Sequence, residues 1–176
     1  QLDRDVLDAM PSLRMIATRS TGFDHIDIGL CTERGIVVSN VPTYGENTVA
    51  EHVFALLLTL SHRMTEAVDR ARSGRFSREG LQGVDLKGKT LGVLGTGSIG
   101  RHVIRIARGF EMDVIAHDIR PDEALAQERG FRYESFEQVL ALADVLTLHV
   151  PATPETHNLL SERQFGLMKD GAVLIN

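Results

Sequence analysis

Leu91-Gly92-Val93-Leu94-Gly95-Thr96-Gly97-Ser98-Ile99-Gly100 joins an apolar run to three glycines in the spacing G-x-G-x-x-G. Beyond it, Ile99, Val103, Ile106, Ala107 and Phe110 recur at helical spacing, so the glycines sit between a buried strand and an amphipathic helix. The next apolar run ends on an acid, Asp118, 18 residues after Gly100. Three glycines alone carry little information. Strand, glycine turn, helix and a strand-end acid together are the context that a dinucleotide-binding unit requires.

Each position has a physical role in that reading. Gly95 permits a tight turn, Gly97 lets the backbone approach a pyrophosphate, and Gly100 lets helix and strand come close. Thr96, at the first variable position, is counted with the cofactor-binding residues. The N–H groups of Ser98 and Ile99 aim at the phosphates from the positive end of the helix. Asp118 accepts hydrogen bonds from the adenosine ribose hydroxyls, and its charge repels a 2′-phosphate, so NAD is expected over NADP. Arg120 is a counter-signal, because a nearby arginine can accommodate that phosphate.

Working outward, the β–α rhythm is strict from Thr90 onward. Strands are expected at 90–95, 113–118, 131–133, 144–150 and 172–176, separated by helices at 98–109, 122–129, 135–143 and 161–169. Apolar strands alternating with helices predict a parallel sheet covered on both faces. With right-handed crossovers the fold class is α/β, a doubly wound parallel sheet of the Rossmann type. Upstream, residues 13–18 and 36–38 read as strands around a short helix at 25–34, with a turn opened by Gly22. Residues 48–73 read as one long helix ended by Gly74, with Thr48 and Glu51 at capping-box spacing. Its first half is apolar on nearly every side, which predicts burial all round, by its own domain or by a partner subunit. Residues 74–89 read as a connecting loop.

Composition narrows the classes. The chain has 176 residues, 43% of them hydrophobic, and a formal charge of −5, so no basic field favours nucleic acid. The one cysteine, Cys31, excludes an internal disulfide and reads as a small core residue. The longest apolar stretch, around Val53 to Leu60, is too short to span a bilayer, and no signal peptide is visible. The expected compartment is the cytoplasm. The histidines show no close-spaced ligand pattern, so no metal site is expected. The chain opens on Gln1 within a helix-like pattern and closes on Ala172-Val173-Leu174-Ile175-Asn176, a strand-like run. It reads as an interior piece of a longer fold.

Several segments in order resemble the D-isomer-specific 2-hydroxyacid dehydrogenases. They are Ala17-Thr18-Arg19-Ser20-Thr21-Gly22-Phe23-Asp24-His25-Ile26-Asp27, Asn47-Thr48-Val49-Ala50-Glu51-His52, the glycine stretch, His149-Val150-Pro151-Ala152-Thr153-Pro154-Glu155-Thr156, and Leu167-Met168-Lys169-Asp170-Gly171. The resemblance covers essentially the whole chain. Val41-Pro42-Thr43-Tyr44 makes it most similar to the lactate-type members. It implies two domains around a cleft. Residues 1–43 would be part of a flavodoxin-like substrate domain, and 44–176 an NAD-binding domain incomplete at its C-terminal end. It also implies a homodimer through the helix at 48–60. By position, Thr21 and Gly22 match the loop whose N–H groups hold the substrate carboxylate, an arrangement suited to anions. Tyr44 matches a residue lining the substrate pocket. Val150 and Pro151 match the strand end beside adenine and ribose, and Thr156 a position near the cofactor. Thr48 is either a nicotinamide-side residue or only a helix cap.

The resemblance further implies NADH-dependent reduction of a small 2-keto acid to a D-2-hydroxy acid, with pyruvate and D-lactate as the expected pair. In the family an arginine orients the carboxylate, a histidine donates the proton and a glutamate tunes that histidine. All three are expected beyond Asn176, so no catalytic residue is assigned here and the chain alone is expected to be inactive. His149 and His52 do not take those roles. Two alternatives stay open: a 3-phosphoglycerate, glyoxylate or hydroxypyruvate dehydrogenase of the same family, and an NAD-sensing corepressor-like binding protein.

Overall fold

The computed structural model describes residues 1–176, which divide into two units, Gln1–Gly45 and Glu46–Asn176. In the first, helix α1 (Arg4–Asp8) precedes strand β1 (Met15–Ala17), and helix α2 (Ile28–Glu33) leads to strand β2 (Val37–Ser39). Asp3 and Asp27 cap the two helices, their side chains accepting from the N–H groups of Val6 and Leu30, which satisfies donors that the first helical turn leaves free. β1 and β2 pair in parallel, Ile16 opposite Val38. Leu7, Ile26, Leu30, Cys31 and Ile36 form the small core of this unit. Cys31 is 1% exposed and behaves as the apolar residue its setting predicts.

The second unit opens with α3 (Glu46–Ser61) and α4 (Met64–Arg72). The single helix expected over 48–73 is thus two. Arg63 between them is left-handed, at φ 50° and ψ 42°. The break is sustained by the following loop, which takes up the Ser61 carbonyl and the Arg63 side chain. Val84 donates its N–H to the Ser61 carbonyl at 2.8 Å, and the Arg63 guanidinium donates to the Gly80 carbonyl at 2.7 Å. The start also differs. α3 begins at Glu46, so Thr48 lies inside the first turn rather than at its cap, and no Thr48–Glu51 capping box forms. Ala50, Val53, Phe54 and Leu57 of α3 are buried, whereas Val49, Leu56 and Leu60 on the other side are exposed. The all-round apolar helix is therefore half-covered within one chain.

Strands β3 (Thr90–Leu94), β4 (Asp113–His117), β5 (Arg132–Tyr133), β6 (Val145–Leu148) and β7 (Val173–Ile175) form one parallel sheet in the order β5-β4-β3-β6-β7. Helices α5 (Ser98–Gly109), α6 (Glu123–Arg129), α7 (Phe136–Leu142) and α8 (Glu162–Phe165) connect them. Successive side chains of a strand point to opposite faces, and both faces are dry here. Leu91, Val93, Val114, Ala116 and Val145 join the core shared with α3, α5 and α6. Leu94, Ile115 and Leu146 join a second core with Val139 and Leu140 of α7. That explains the continuous apolar strands, and the fold is the doubly wound α/β sheet expected of them. No helix is long and apolar enough to cross a membrane.

The order of the strands places the site. The chain runs outward from β3 through β4 to β5, then returns to the other flank of β3 as β6. A crevice opens at such a reversal, beyond the carboxyl ends of the two diverging strands.

Candidate functional site

The crevice is built around Gly95, which follows β3. Its φ is +91°, a left-handed conformation that a side chain resists. Its N–H donates to the His117 carbonyl at 2.9 Å, and on the other flank the His149 N–H donates to Leu94 at 2.7 Å. A Cβ on Gly95 would stand 2.5 Å from the His149 carbonyl oxygen, and one on Gly100 would run into the Gly95 carbonyl. A Cβ on Gly97 would meet nothing within 4 Å. The first and third glycines are therefore required by the protein itself, while the second leaves room outside it.

Gly97 is also the residue that precedes α5, and no side chain caps that helix. The amides of its first turn face outward with the positive end of a 12-residue helix behind them, a setting that favours an anion. A cleft of about 680 Å³ adjoins it. Gly95, Gly97, Asp118, Val150, Pro151 and Thr156 line it, six of the residues singled out from sequence. Thr156 also closes its own loop, its hydroxyl donating to the Pro151 carbonyl at 2.5 Å and accepting from the Thr153 N–H at 2.8 Å.

Four motif residues do not line the cleft. Gly100 is buried, Ile99 packs into the core beneath α5, and Ser98 is exposed at the helix start. Thr96 is only 4% exposed and turns inward. Its N–H and its hydroxyl reach Asp118 Oδ2 at 2.7 and 2.9 Å, and the Tyr133 hydroxyl lies 2.9 Å from Thr96 Oγ1. Thr48 lies apart, on a shallow groove with Val49, Glu51, His52 and Ala55. Thr21, Gly22 and Tyr44 lie in the first unit, where the Thr21 hydroxyl donates to the Tyr44 carbonyl at 3.0 Å.

Asp118 shares the cleft with two other charged side chains, Arg120 and Glu155. Burial alone would raise its pKa, but the N–H groups of Thr96 and Arg120, the Thr96 hydroxyl and the Arg120 charge outweigh it. The carboxyl is held below its ordinary range and stays ionised at neutral pH. The Arg120 N–H donates to Oδ1 at 2.9 Å.

His149 is a cleft residue that the sequence reading did not assign. Burial lowers its pKa to about 4, so it is neutral at pH 7. Its Nε2 lies 2.9 Å from the hydroxyl of the fully buried Thr147. His117, Ile119 and Phe136 complete that side. The missed signal was position: His117 ends β4, and His149 follows the end of β6, on the rim where crevice residues gather.

The glycine cradle and the strand-end acid fit a dinucleotide. Residues 54–176 match the model of the D-isomer specific 2-hydroxyacid dehydrogenase NAD-binding domain. The chain belongs to this family. The D-lactate dehydrogenase of Escherichia coli is 40% identical over 175 residues, which are 98% of this chain and 53% of that protein. A glyoxylate reductase of Thermococcus litoralis is 38% identical over 183 residues, covering 100% of this chain and 55% of the relative. Among solved structures, Aquifex aeolicus D-lactate dehydrogenase complexed with NAD and lactic acid superposes with a TM-score of 0.92 at 43% identity. That match covers 99% of this chain and 53% of the other. The chain therefore spans about half the length of these relatives. Its cofactor is NAD, as the NAD-binding family domain shows.

Proposed function

We propose that this chain is the coenzyme-binding part of an NAD-dependent D-2-hydroxyacid dehydrogenase that interconverts a 2-keto acid with its D-2-hydroxy acid, pyruvate and D-lactate first among them. The observation that carries the coenzyme reading is the shared cleft of Asp118 and the uncapped start of α5. On this reading the α5 amides hold the pyrophosphate and Asp118 holds the adenosine ribose. Val150 and Pro151 flank the adenine end, and Thr156 fixes their loop.

Residues 1–45 are proposed as part of the substrate domain. Support comes from the loop at Thr21 and Gly22. The Thr21 carbonyl accepts from Asn40 Nδ2 at 2.7 Å and the Gly22 carbonyl from Ser20 Oγ at 2.6 Å. The N–H groups of Thr21 and Gly22 donate to no group in the protein, which leaves two donors for a carboxylate. Tyr44, 63% exposed, has the reach to close such a pocket. The exposed apolar side of α3, with Val49, Leu56 and Leu60, supports a homodimer.

The proton donor, its glutamate and the carboxylate-orienting arginine are assigned to no residue of this chain. His149, enclosed and neutral to about pH 4, is a poor source of a proton at physiological pH. The names of the relatives keep glyoxylate and 3-phosphoglycerate as alternative substrates, since identities of 40% and 38% do not separate them. The test is NADH oxidation by the 176-residue chain with pyruvate, glyoxylate and hydroxypyruvate in turn. No turnover is expected with any of them. Turnover above background would place the catalytic groups within these residues, and the preferred keto acid would name the substrate.

A further inference from the structure

Thr96 occupies a variable position of the glycine motif, yet its side chain is turned away from the cleft and nearly enclosed. The hydroxyl is fully committed. Asp118 Oδ2 is ionised and can only accept, so Thr96 Oγ1 donates to it at 2.9 Å. The Tyr133 hydroxyl, 2.9 Å from the same oxygen, must then be a donor to Thr96. A directed chain results, Tyr133 to Thr96 to Asp118, anchored at one end on the edge strand β5.

This chain decides which carboxylate oxygen is available. Oδ2 also accepts the Thr96 N–H at 2.7 Å, so its two lone pairs are occupied. Oδ1 accepts only the Arg120 N–H and keeps one lone pair for a ligand. Tyr133 is itself fixed by an edge-on contact with Phe131, ring centroids 5.1 Å apart.

We propose that Thr96 and Tyr133 are positioning residues for coenzyme choice: they lock the Asp118 carboxylate with Oδ1 toward the adenosine ribose, where it accepts from a ribose hydroxyl and opposes a 2′-phosphate. The inference rests on the dinucleotide reading of the cleft and adds to it two hydroxyls that touch no coenzyme. A freed carboxylate would rotate, lose part of its bond to the ribose and yield space to the phosphate carried by NADP.

The test is the affinity of the 176-residue chain for NADH and for NADPH, measured side by side by coenzyme fluorescence. Thr96→Val keeps the shape and removes the hydroxyl. It is expected to lower the NADH-over-NADPH preference by about fivefold to tenfold, less than the full worth of one hydrogen bond to a charged group because Oδ2 keeps the Thr96 N–H. Tyr133→Phe removes only the far donor and is expected to lower the preference by about twofold to threefold. Thr96→Ser restores the donor and should restore the preference. A general loss of stability would weaken both coenzymes alike and leave their ratio unchanged. An unchanged ratio in Thr96→Val and Tyr133→Phe, with NADH still bound, would overturn this inference alone. Failure of the unsubstituted chain to bind NADH would overturn the dinucleotide reading and this inference together.

Discussion

The carbonyl oxygen of His149 stands where it leaves no room for a side chain on Gly95: a Cβ there would lie 2.5 Å away. Gly95 follows β3 and His149 follows β6, so the contact closes the sheet at the point where the strand order reverses. The glycine turn is thus clamped between two strands as well as bent.

That contact separates two substitutions that look alike in sequence. Gly95→Ala meets backbone at a φ of +91° and is expected to cost roughly 2–4 kcal/mol of stability. Gly97→Ala enters open space at a φ of −67° and should change stability by less than about 1 kcal/mol while weakening NADH binding. Urea unfolding alongside NADH titration of each variant checks the pair. A stable Gly95→Ala chain, or a Gly97→Ala chain with undiminished affinity, contradicts the division of labour.

His149 gives the second unit an acid sensitivity of definite sign. Its pKa is about 4 folded against 6.5 in its ordinary state. The unfolded chain therefore binds an extra proton between those values, and stability falls as pH drops through that window. It is fully present above 6.5. With allowance for the ring's partial exposure, the loss is at most about 2 kcal/mol. Replacing His149 by Gln should flatten the stability profile from pH 4 to 6.5. A profile equally steep in the variant would assign the sensitivity to another group.

Asp144 joins the amino ends of β3 and β6. Its Oδ2 accepts the Thr90 N–H at 2.8 Å and its Oδ1 the Lys169 ammonium at 2.8 Å. The Thr90 N–H is half-buried and otherwise unpaired, whereas the ion pair is wet, its side chains 41% and 32% exposed. Asp144→Ala should therefore cost about 1–2 kcal/mol, and Lys169→Ala under about 1 kcal/mol. Equal losses in thermal or urea unfolding would mean that the ion pair, not the backbone bond, carries the stability.

The exposed side of α3 makes a prediction about assembly. Leu60 is 60% exposed beside Leu56 at 41%. Leu60→Lys should shift the chain from dimer to monomer in sedimentation while keeping its helical signal. A chain that sediments as a monomer before substitution would remove the dimer proposal.

The sheet was legible in sequence because both of its faces are dry, which makes β3, β4 and β6 largely apolar runs, bounded by Gly95, Asp118 and Asp144. The helix break at Arg63 was not, because its cause is remote: the Ser61 carbonyl finds its donor at Val84 and the Arg63 guanidinium its acceptor at Gly80, and local periodicity continues across the gap. The capping reading of Thr48 and Glu51 failed for a related reason. The spacing was right, but the helix starts two residues earlier, at Glu46. In the site, Asp118 was readable from its distance to the glycines. Tyr133 was not, because β5 joins the sheet beside β4 through pairing that no short-range pattern encodes.

The central claim is that the β3–α5 cleft holds NAD. Titrating NADH into the folded 176-residue chain, followed by coenzyme fluorescence, tests it most directly. Saturable binding that prefers NADH to NADPH and weakens with Asp118→Asn is the result predicted. A chain with intact secondary structure that binds neither coenzyme, or binds NADPH as well as NADH, would contradict the account.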